Sequence, residues 1–234
     1  MVYENVNIFV YCGGKCGSTT LENTFKKNNY NVIRLHYNGE FKIVHKYDKN
    51  IFDILDNNKK NKKLFIIDSY RTPIERKISS FFHNINVHVP NYNTLSIQQL
   101  IDIFNNKFLK SIEEYHSINE VMNYYKVPLF NTFNFNDKYI SVEKDNIKYI
   151  KLRFADISEW NKILSKIFDK NIVIHPDNLT KNKNIYNLSN EFKKNYKIPK
   201  SYLEHIKNND KEFNVFVSND EKKKYFEDWG KKSC

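Results

Sequence analysis

The sequence predicts an α/β fold: a three-layer sandwich with a central, mostly parallel sheet and extra helices. Short segments rich in β-branched and aromatic residues alternate with segments of helical periodicity through the first half of the chain. This alternation indicates right-handed crossovers and a sheet that helices cover on both faces. With 234 residues, 40% of them hydrophobic, the chain is long enough for a core, and we expect one domain over residues 1–234.

The elements of the first half follow in order. Three predicted strands are apolar in their middle: residues 6–12, 31–37 and 63–69. Three predicted helices follow these strands in turn: residues 19–28, 51–57 and 73–84. In the first helix Leu21 and Phe25 are four residues apart, and Pro73 suits the first turn of the third.

The second half contains fewer strand signals. The predictions are mainly helical residues 96–125, a strand within residues 145–154, and helices at residues 158–168 and 200–208. We expect Ser158 to cap the first of these last two helices, and Pro199 to open the second. The polar residues 178–190 are predicted to form a loop.

Composition narrows the functional classes. The net charge of +11 favours polyanionic partners, but the lysines lie in short scattered runs that are typical of a solvated surface. A non-catalytic polyanion binder therefore stays open as an alternative, although no nucleic-acid-binding module is recognisable and we expect no nucleic-acid partner.

Cysteine usage and hydropathy bear on the compartment. The three cysteines, Cys12, Cys16 and Cys234, have neither a disulfide-framework nor a zinc-ligand spacing. The first residues lack the basic region of a signal peptide, and no apolar stretch reaches membrane-spanning length. We expect a soluble, reduced, cytoplasmic protein without a metal site.

The first chemical motif is a glycine-rich turn between the first strand and the first helix. Residues 11–21 read YCGGKCGSTTL and contain three of the five glycines of the chain. Glycines allow positive φ and a close backbone approach, and a helix N-terminus offers free N–H groups and a positive dipole. Lys15 adds a full charge, and hydroxyl donors follow it: Ser18, Thr19 and Thr20. The segment therefore predicts an oxyanion cradle.

Local structure alone offers another interpretation of the same residues. Ser18 or Thr19 would simply cap the helix, and Thr19 and Glu22 have the spacing of a capping box. The order of residues also excludes two common nucleotide motifs, because the lysine precedes the last glycine and the dinucleotide spacing G-x-G-x-x-G is missing.

The second chemical motif follows the third strand. Arg71 comes directly after this strand, at the edge of the sheet where open α/β folds bind ligands. Arg76 and Ser79 are three residues apart on the helix that follows. A guanidinium and a hydroxyl of this kind hold a phosphate monoester well. The alternative is that the arginines pair with Asp68 or Glu75 and that Ser79 is a packing residue.

The two motifs together resemble those of sulfotransferases that use 3′-phosphoadenosine 5′-phosphosulfate (PAPS). G-K-C-G-S-T-T resembles the 5′-phosphosulfate loop P-K-S-G-T-T of that family, with Gly14 where many members have proline. R-x-P-x-x-R-x-x-S resembles its 3′-phosphate motif, in the expected order. The resemblance implies a P-loop nucleotide-kinase-like fold and transfer of a sulfuryl group from PAPS to a hydroxyl acceptor.

The resemblance also implies roles for residues. The donor's 5′-phosphosulfate would lie against Gly14, Lys15, Cys16, Gly17, Ser18, Thr19 and Thr20. Arg71 and Ser79 would hold its 3′-phosphate, with Arg76 as a secondary candidate and with Lys181 and Lys183 in a closing loop.

Weaker resemblance lies further along the chain. Residues 149–160, YIKLRFADISEW, resemble the family segment L-x-L-R-x-E-D-L, with Ala155 in place of an acidic residue. The tail, residues 182–229, resembles the end of capsule-type members, which favours a carbohydrate hydroxyl as acceptor.

The implied chemistry is an in-line displacement at sulfur without a metal. Lys15 would neutralise the charge that develops on the leaving phosphate. His36, at the end of the second strand, is the candidate general base, since an imidazole suits proton transfer near neutral pH. Alternatives for this role are Glu40, His45 and His116. The main rival function is a magnesium-dependent P-loop kinase in which Asp68 binds the metal.

Overall fold

The computed structural model describes residues 3, 5–37, 40, 49–109, 117–176 and 185–233. These residues belong to two compact units, Met1–Arg71 with Tyr115–Asn178, and Thr72–Glu114 with Leu179–Cys234. The single domain over residues 1–234 stays a prediction.

A five-stranded sheet organises the first unit. Its strands are β1 (Ile8–Tyr11), β2 (Val32–Leu35), β3 (Leu64–Tyr70), β4 (Tyr139–Lys144) and β5 (Ile147–Arg153). They lie in the order β2-β1-β3-β5-β4. All neighbours pair in parallel except β4, which is antiparallel to β5. The predicted α/β class and mostly parallel sheet are therefore confirmed.

Helices occur in both units of the part of the chain that the structure describes. They are α1 (Ser18–Lys27), α2 (Ile51–Asn58), α3 (Pro73–His83), α4 (Ile85–His88), α5 (Ile97–Ile103), α6 (Ile118–Tyr124), α7 (Trp160–Phe168), α8 (Tyr186–Asn195), α9 (Lys200–Asn209), α10 (Lys211–Phe216) and α11 (Asn219–Gly230). A π-helical segment, Phe104–Phe108, continues α5, and a 3₁₀ segment, Phe154–Glu159, precedes α7.

Side-chain alternation along the strands gives the first unit its three layers. Ile8 and Val10 of β1 pack on one face of the sheet, in a cluster that includes the buried residues of α1 and α7. Phe9 and Tyr11 pack on the other face with the buried residues of α2 and α6. Because successive strand residues point to opposite faces, helices must cover both sides of this sheet.

The strand order creates a switch point in the sheet. From β1 the chain goes to β2 on one side, and then to β3 on the other side of β1. Ligands in open α/β sheets bind outside the carboxyl ends of the strands at such a point. The switch point therefore lies where β1 gives way to residues 12–17 and where β3 gives way to Arg71.

Two local predictions need correction, and one strand was missing from the prediction. The edge strand β4 was not predicted, because its half-exposed residues YISVEK lack the apolar middle of a central strand. Ser158 does not cap α7: the 3₁₀ segment precedes that helix, and its N-cap, Glu159, makes no side-chain capping bond. Helix α8 begins at Tyr186, so residues 186–190 are not a loop.

A buried ion pair ties two strands and a helix together. The Lys151 ammonium of β5 lies 2.6 Å from Oδ2 of Asp68, its register partner on β3, and both side chains are fully buried. The same carboxylate accepts hydrogen bonds from the backbone N–H of Ser69, at 2.6 Å, and of Ile118, at 3.1 Å. These donors compensate for the cost of burying the charge.

The second unit is helical in its described part and has an aromatic core. Phe81 and Phe82 of α3 pack edge-on or tilted against Phe192 of α8, with ring centroids 5.9 and 5.1 Å apart. On the same helix, the Glu75 carboxylate accepts hydrogen bonds from Trp229 Nε1, at 3.0 Å, and from the Tyr225 hydroxyl, at 3.2 Å. The aromatic residues of the tail thus serve as packing and anchoring groups for α3.

We predict that Lys151→Met destabilises the protein by about 3–5 kcal/mol, because it leaves the Asp68 carboxylate buried without its cation. Urea denaturation of both proteins measures the difference. The control is Lys63→Met, which removes an exposed 2.7 Å pair with Glu143 and is expected to cost at most about 1 kcal/mol. Equal costs for the two variants would contradict the structural role of the buried pair.

Candidate functional site

The turn between β1 and α1 has an unusual backbone. Lys15 and Gly17 both have positive φ, at 67° and 91°. Helix α1 begins at Ser18, with Gly17 as its N-cap and no side-chain capping bond. The capping interpretation of Ser18 and Thr19 is therefore wrong. No side chain caps this terminus, and the backbone amides at the start of a helix are groups that bind anions.

Glu22 does not complete a capping box either. Its carboxylate pairs with Lys26, at 2.7 Å, and with Arg34 of β2, at 2.9 Å. These contacts fix α1 against the neighbouring strand.

Close packing restricts position 17 to glycine. A Cβ atom there would lie 2.7 Å from Cη2 of Trp160 and 3.1 Å from Cδ2 of Phe154. Gly14, in contrast, is exposed and a Cβ atom on it would have no neighbour within 4 Å. The turn therefore requires glycine at position 17 but not at position 14.

The predicted cradle residues differ in their exposure. Cys16 is fully buried in the core cluster, and its thiol donates to the Gly14 carbonyl at 3.7 Å. Ser18 and Thr20 are also buried, whereas Lys15 and Thr19 are half-buried. Cys16 therefore presents no side chain to a ligand, while the side chains of Lys15 and Thr19 are partly exposed to solvent.

Cys12, the other cysteine of the segment, is also buried in the core. Its thiol, Cys12 Sγ, donates to the Ser69 carbonyl at 3.8 Å. Hydrogen bonding with Cys16 and burial raise the pKa of the Cys12 thiol well above its ordinary value. Because a nucleophile must form the thiolate readily, Cys12 acts here as a packing residue.

Arg71 joins the two motifs. Its Nη1 donates to the Lys15 carbonyl at 2.9 Å, and its Cζ lies 4.5 Å from the centroid of the Phe154 ring. The carboxyl ends of β1, β3 and β5 therefore contribute Lys15, Arg71 and Phe154 to one place. Arg71 directly follows β3, and its hydrogen bond brings it to the turn that follows β1.

Phe154 is a residue of this arrangement that sequence reasoning missed. Its ring packs against the Arg71 guanidinium and also lies next to Gly17. The available signal was its position directly after β5, at the ligand-binding edge of a parallel sheet.

His36 lies at the same edge, with both ring nitrogens engaged. Nδ1 lies 2.9 Å from the Cys12 carbonyl, and Nε2 lies 3.0 Å from Nη1 of Arg34. Because the carbonyl needs a donor and the guanidinium needs an acceptor, Nδ1 carries the proton. To act as a base, His36 would first have to release Arg34. Its role stays a prediction.

The alternatives to His36 have different positions. Glu40 is nearly buried at 8% exposure, and its carboxylate accepts a hydrogen bond from the His36 backbone N–H. His45 and His116 lie outside the described residues, as do Lys181 and Lys183.

The remaining predicted donor residues belong to the second unit. Ser79 and Arg76 are half-buried positions of α3. Burial raises the pKa of Asp210, and the charge of Arg76 partly offsets that rise. The proposed phosphate contacts of Ser79 and Arg76 stay predictions.

Asp68, the metal ligand of the kinase alternative, is fully engaged in the fold. Both of its carboxylate oxygens accept hydrogen bonds, from Lys151 and from two backbone amides, and the side chain is fully buried. A magnesium ion would have to compete with these donors for the same oxygens.

Comparison with known proteins gives no relative. No protein-family model matches the chain, and neither a curated protein nor a solved structure matches it. Within the part of the chain that the structure describes, no helix is long and apolar enough to cross a membrane. The function must therefore be inferred from the residues themselves.

We predict that Gly17→Ala destabilises the protein by about 2–4 kcal/mol, through strain at positive φ and overpacking against Trp160. Gly14→Ala is the matched control, expected to lie within about 0.5 kcal/mol of the wild type. Chemical denaturation of the three proteins tests the difference. A Gly17→Ala variant as stable as Gly14→Ala would show that the turn does not need glycine at that position.

Proposed function

We propose that the protein is a PAPS-dependent sulfotransferase with a P-loop nucleotide-kinase-like fold. The observation that carries the proposal is the hydrogen bond from Arg71 to the Lys15 carbonyl, which joins two motifs 56 residues apart in the chain. The two motifs match the donor-binding segments of one enzyme family in order. The contact supports the proposal because both segments would have to touch one and the same donor molecule.

The turn suits the 5′-phosphosulfate of the donor. The first amides of α1 and the positive end of its dipole favour an anion next to residues 17–20. Lys15 supplies the full charge, at a position whose backbone is held by Arg71. Preorganised donors of this kind stabilise charge without reorganisation during the reaction.

Arg71 suits the 3′-phosphate. Its guanidinium lies over the Phe154 ring, so its planar set of donors is held in one orientation. A held guanidinium loses less entropy on binding phosphate than a mobile one. That Ser79 also binds the 3′-phosphate is inferred from the sequence resemblance.

Transfer then requires an in-line approach of the acceptor oxygen to sulfur. The bond from sulfur to the phosphate oxygen breaks, and Lys15 neutralises the charge left on 3′-phosphoadenosine 5′-phosphate (PAP). A carbohydrate hydroxyl is the acceptor that the resemblance of the tail favours. The reaction as proposed runs in the cytoplasm and needs no metal.

We predict that PAP binds and raises the melting temperature, by about 5–10 °C at 100 times its Kd. Arg71→Ala should weaken PAP binding about 10- to 100-fold, because a charge-assisted contact to the 3′-phosphate is lost. AMP lacks that phosphate, so its weaker binding should be equal in the wild type and the variant. Thermal-shift titration and calorimetry measure these affinities.

The matched control is Lys63→Ala. It removes one positive charge next to the opposite end of the same strand, β3, and should leave PAP affinity within about twofold of the wild type. Stabilisation by ATP with magnesium and not by PAP would replace the sulfotransferase with the kinase. Equal losses for PAP and AMP in Arg71→Ala would refute the 3′-phosphate contact.

A further inference from the structure

The carboxylate of Glu120 lies near the carboxyl end of β1. The buried phenol of Tyr11, the last residue of β1, donates a hydrogen bond to Oε2 of Glu120. Glu120 is half-buried and belongs to the first turn of α6. Its carboxylate is therefore held next to the strand that leads into the turn at residues 13–17.

The helix that carries Glu120 is anchored firmly. Its first N–H, of Ile118, donates to the buried Asp68 carboxylate of β3, and Ser117 accepts from the N–H of Asn119 at 3.3 Å. Val121 and Met122 of the same helix are fully buried against the sheet. A catalytic group on such an element keeps its place during a reaction, as catalysis demands.

Glu120 belongs to a helix on the face of the sheet opposite to that of α1. Helix α1, which begins at the turn, covers one face of the sheet, whereas α6 covers the other. An in-line displacement needs the acceptor and the leaving group on opposite sides of sulfur. For a donor bound at the start of α1 with its sulfuryl group towards α6, an acceptor beside Glu120 would meet this requirement.

Glu120 also compares well with the bases predicted from sequence. His36 has both ring nitrogens engaged, and the carboxylate of Glu40 is nearly buried against a backbone amide. Glu120, in contrast, is a half-buried carboxylate that a phenol holds next to the end of β1.

Resting on the proposed function, we propose that Glu120 is the general base for the acceptor hydroxyl and that Tyr11 positions its carboxylate. As the acceptor oxygen bonds to sulfur, its proton passes to Glu120 and the bond from sulfur to the PAP phosphate breaks. The products are the sulfate ester, PAP and a protonated Glu120, which then returns its proton to solvent. No oxidant or metal enters the balance.

The test uses the full chain with labelled PAPS and three kinds of acceptor: phenols of graded acidity, monosaccharides and disaccharides. Glu120→Gln keeps an oxygen for the Tyr11 phenol and nearly the same volume, so its melting temperature and PAP affinity should stay unchanged. Its kcat should fall by about 10²- to 10⁴-fold, the usual contribution of a general base. The loss should shrink as the acceptor hydroxyl becomes more acidic, since an acidic hydroxyl needs less help.

Tyr11→Phe should give a smaller loss of kcat with unchanged KM for PAPS. Glu143→Gln, the same change on an exposed carboxylate of β4, should match the wild type. A Glu120→Gln variant with more than half of the wild-type kcat, or a loss equal for all acceptors, would overturn the role of Glu120 alone. A wild type that forms no PAP from PAPS with any of these acceptors would overturn the proposed function, and this role with it.

Discussion

The contact between Gly17 and the aromatic pair Trp160 and Phe154 is the constraint on which the candidate site depends. Only glycine fits there, at positive φ and with no room for a Cβ atom. Trp160 is itself fixed, because its Nε1 donates to the Arg153 carbonyl at 3.0 Å. Phe154 in turn supports the Arg71 guanidinium, which holds the carbonyl of Lys15. The backbone of the turn after β1 is thus set by contacts with residues that follow two other strands, β3 and β5.

Much of this arrangement could be predicted from the sequence. Strand–helix alternation predicted the sheet, and the position of Arg71 directly after the third strand predicted that it lies at the carboxyl edge of that sheet. The same edge argument applies to Phe154, which directly follows β5. Trp160 and Glu120 could not be found in this way, because their contacts join residues far apart in the chain. The Asp68–Lys151 pair is a further example, since strand register alone brings these residues together. The roles assigned to the donor-site residues themselves stay predictions.

Two carboxylates of the first unit illustrate how surroundings separate structural from chemical roles. Asp68 has the sequence position of a metal ligand, at the end of an apolar strand. Its carboxylate, however, accepts hydrogen bonds in the core from a lysine and from two backbone amides. Glu120 lies on a polar helical turn with no recognisable motif, yet it is half-buried and next to the strand that leads into the turn. The buried pair contributes by anchoring the helix on which Glu120 lies. Local pattern alone would assign these two roles the other way round.

Backbone hydrogen–deuterium exchange with and without saturating PAP tests most directly whether the turn holds the nucleotide. If the amides at the start of α1 bind the 5′-phosphate, exchange should slow at residues 15–20, whose helix terminus has no side-chain cap. Exchange within the central strands, already hydrogen-bonded in the sheet, should change little. PAP that binds with full occupancy and leaves residues 15–20 unprotected would contradict an anion site at this turn.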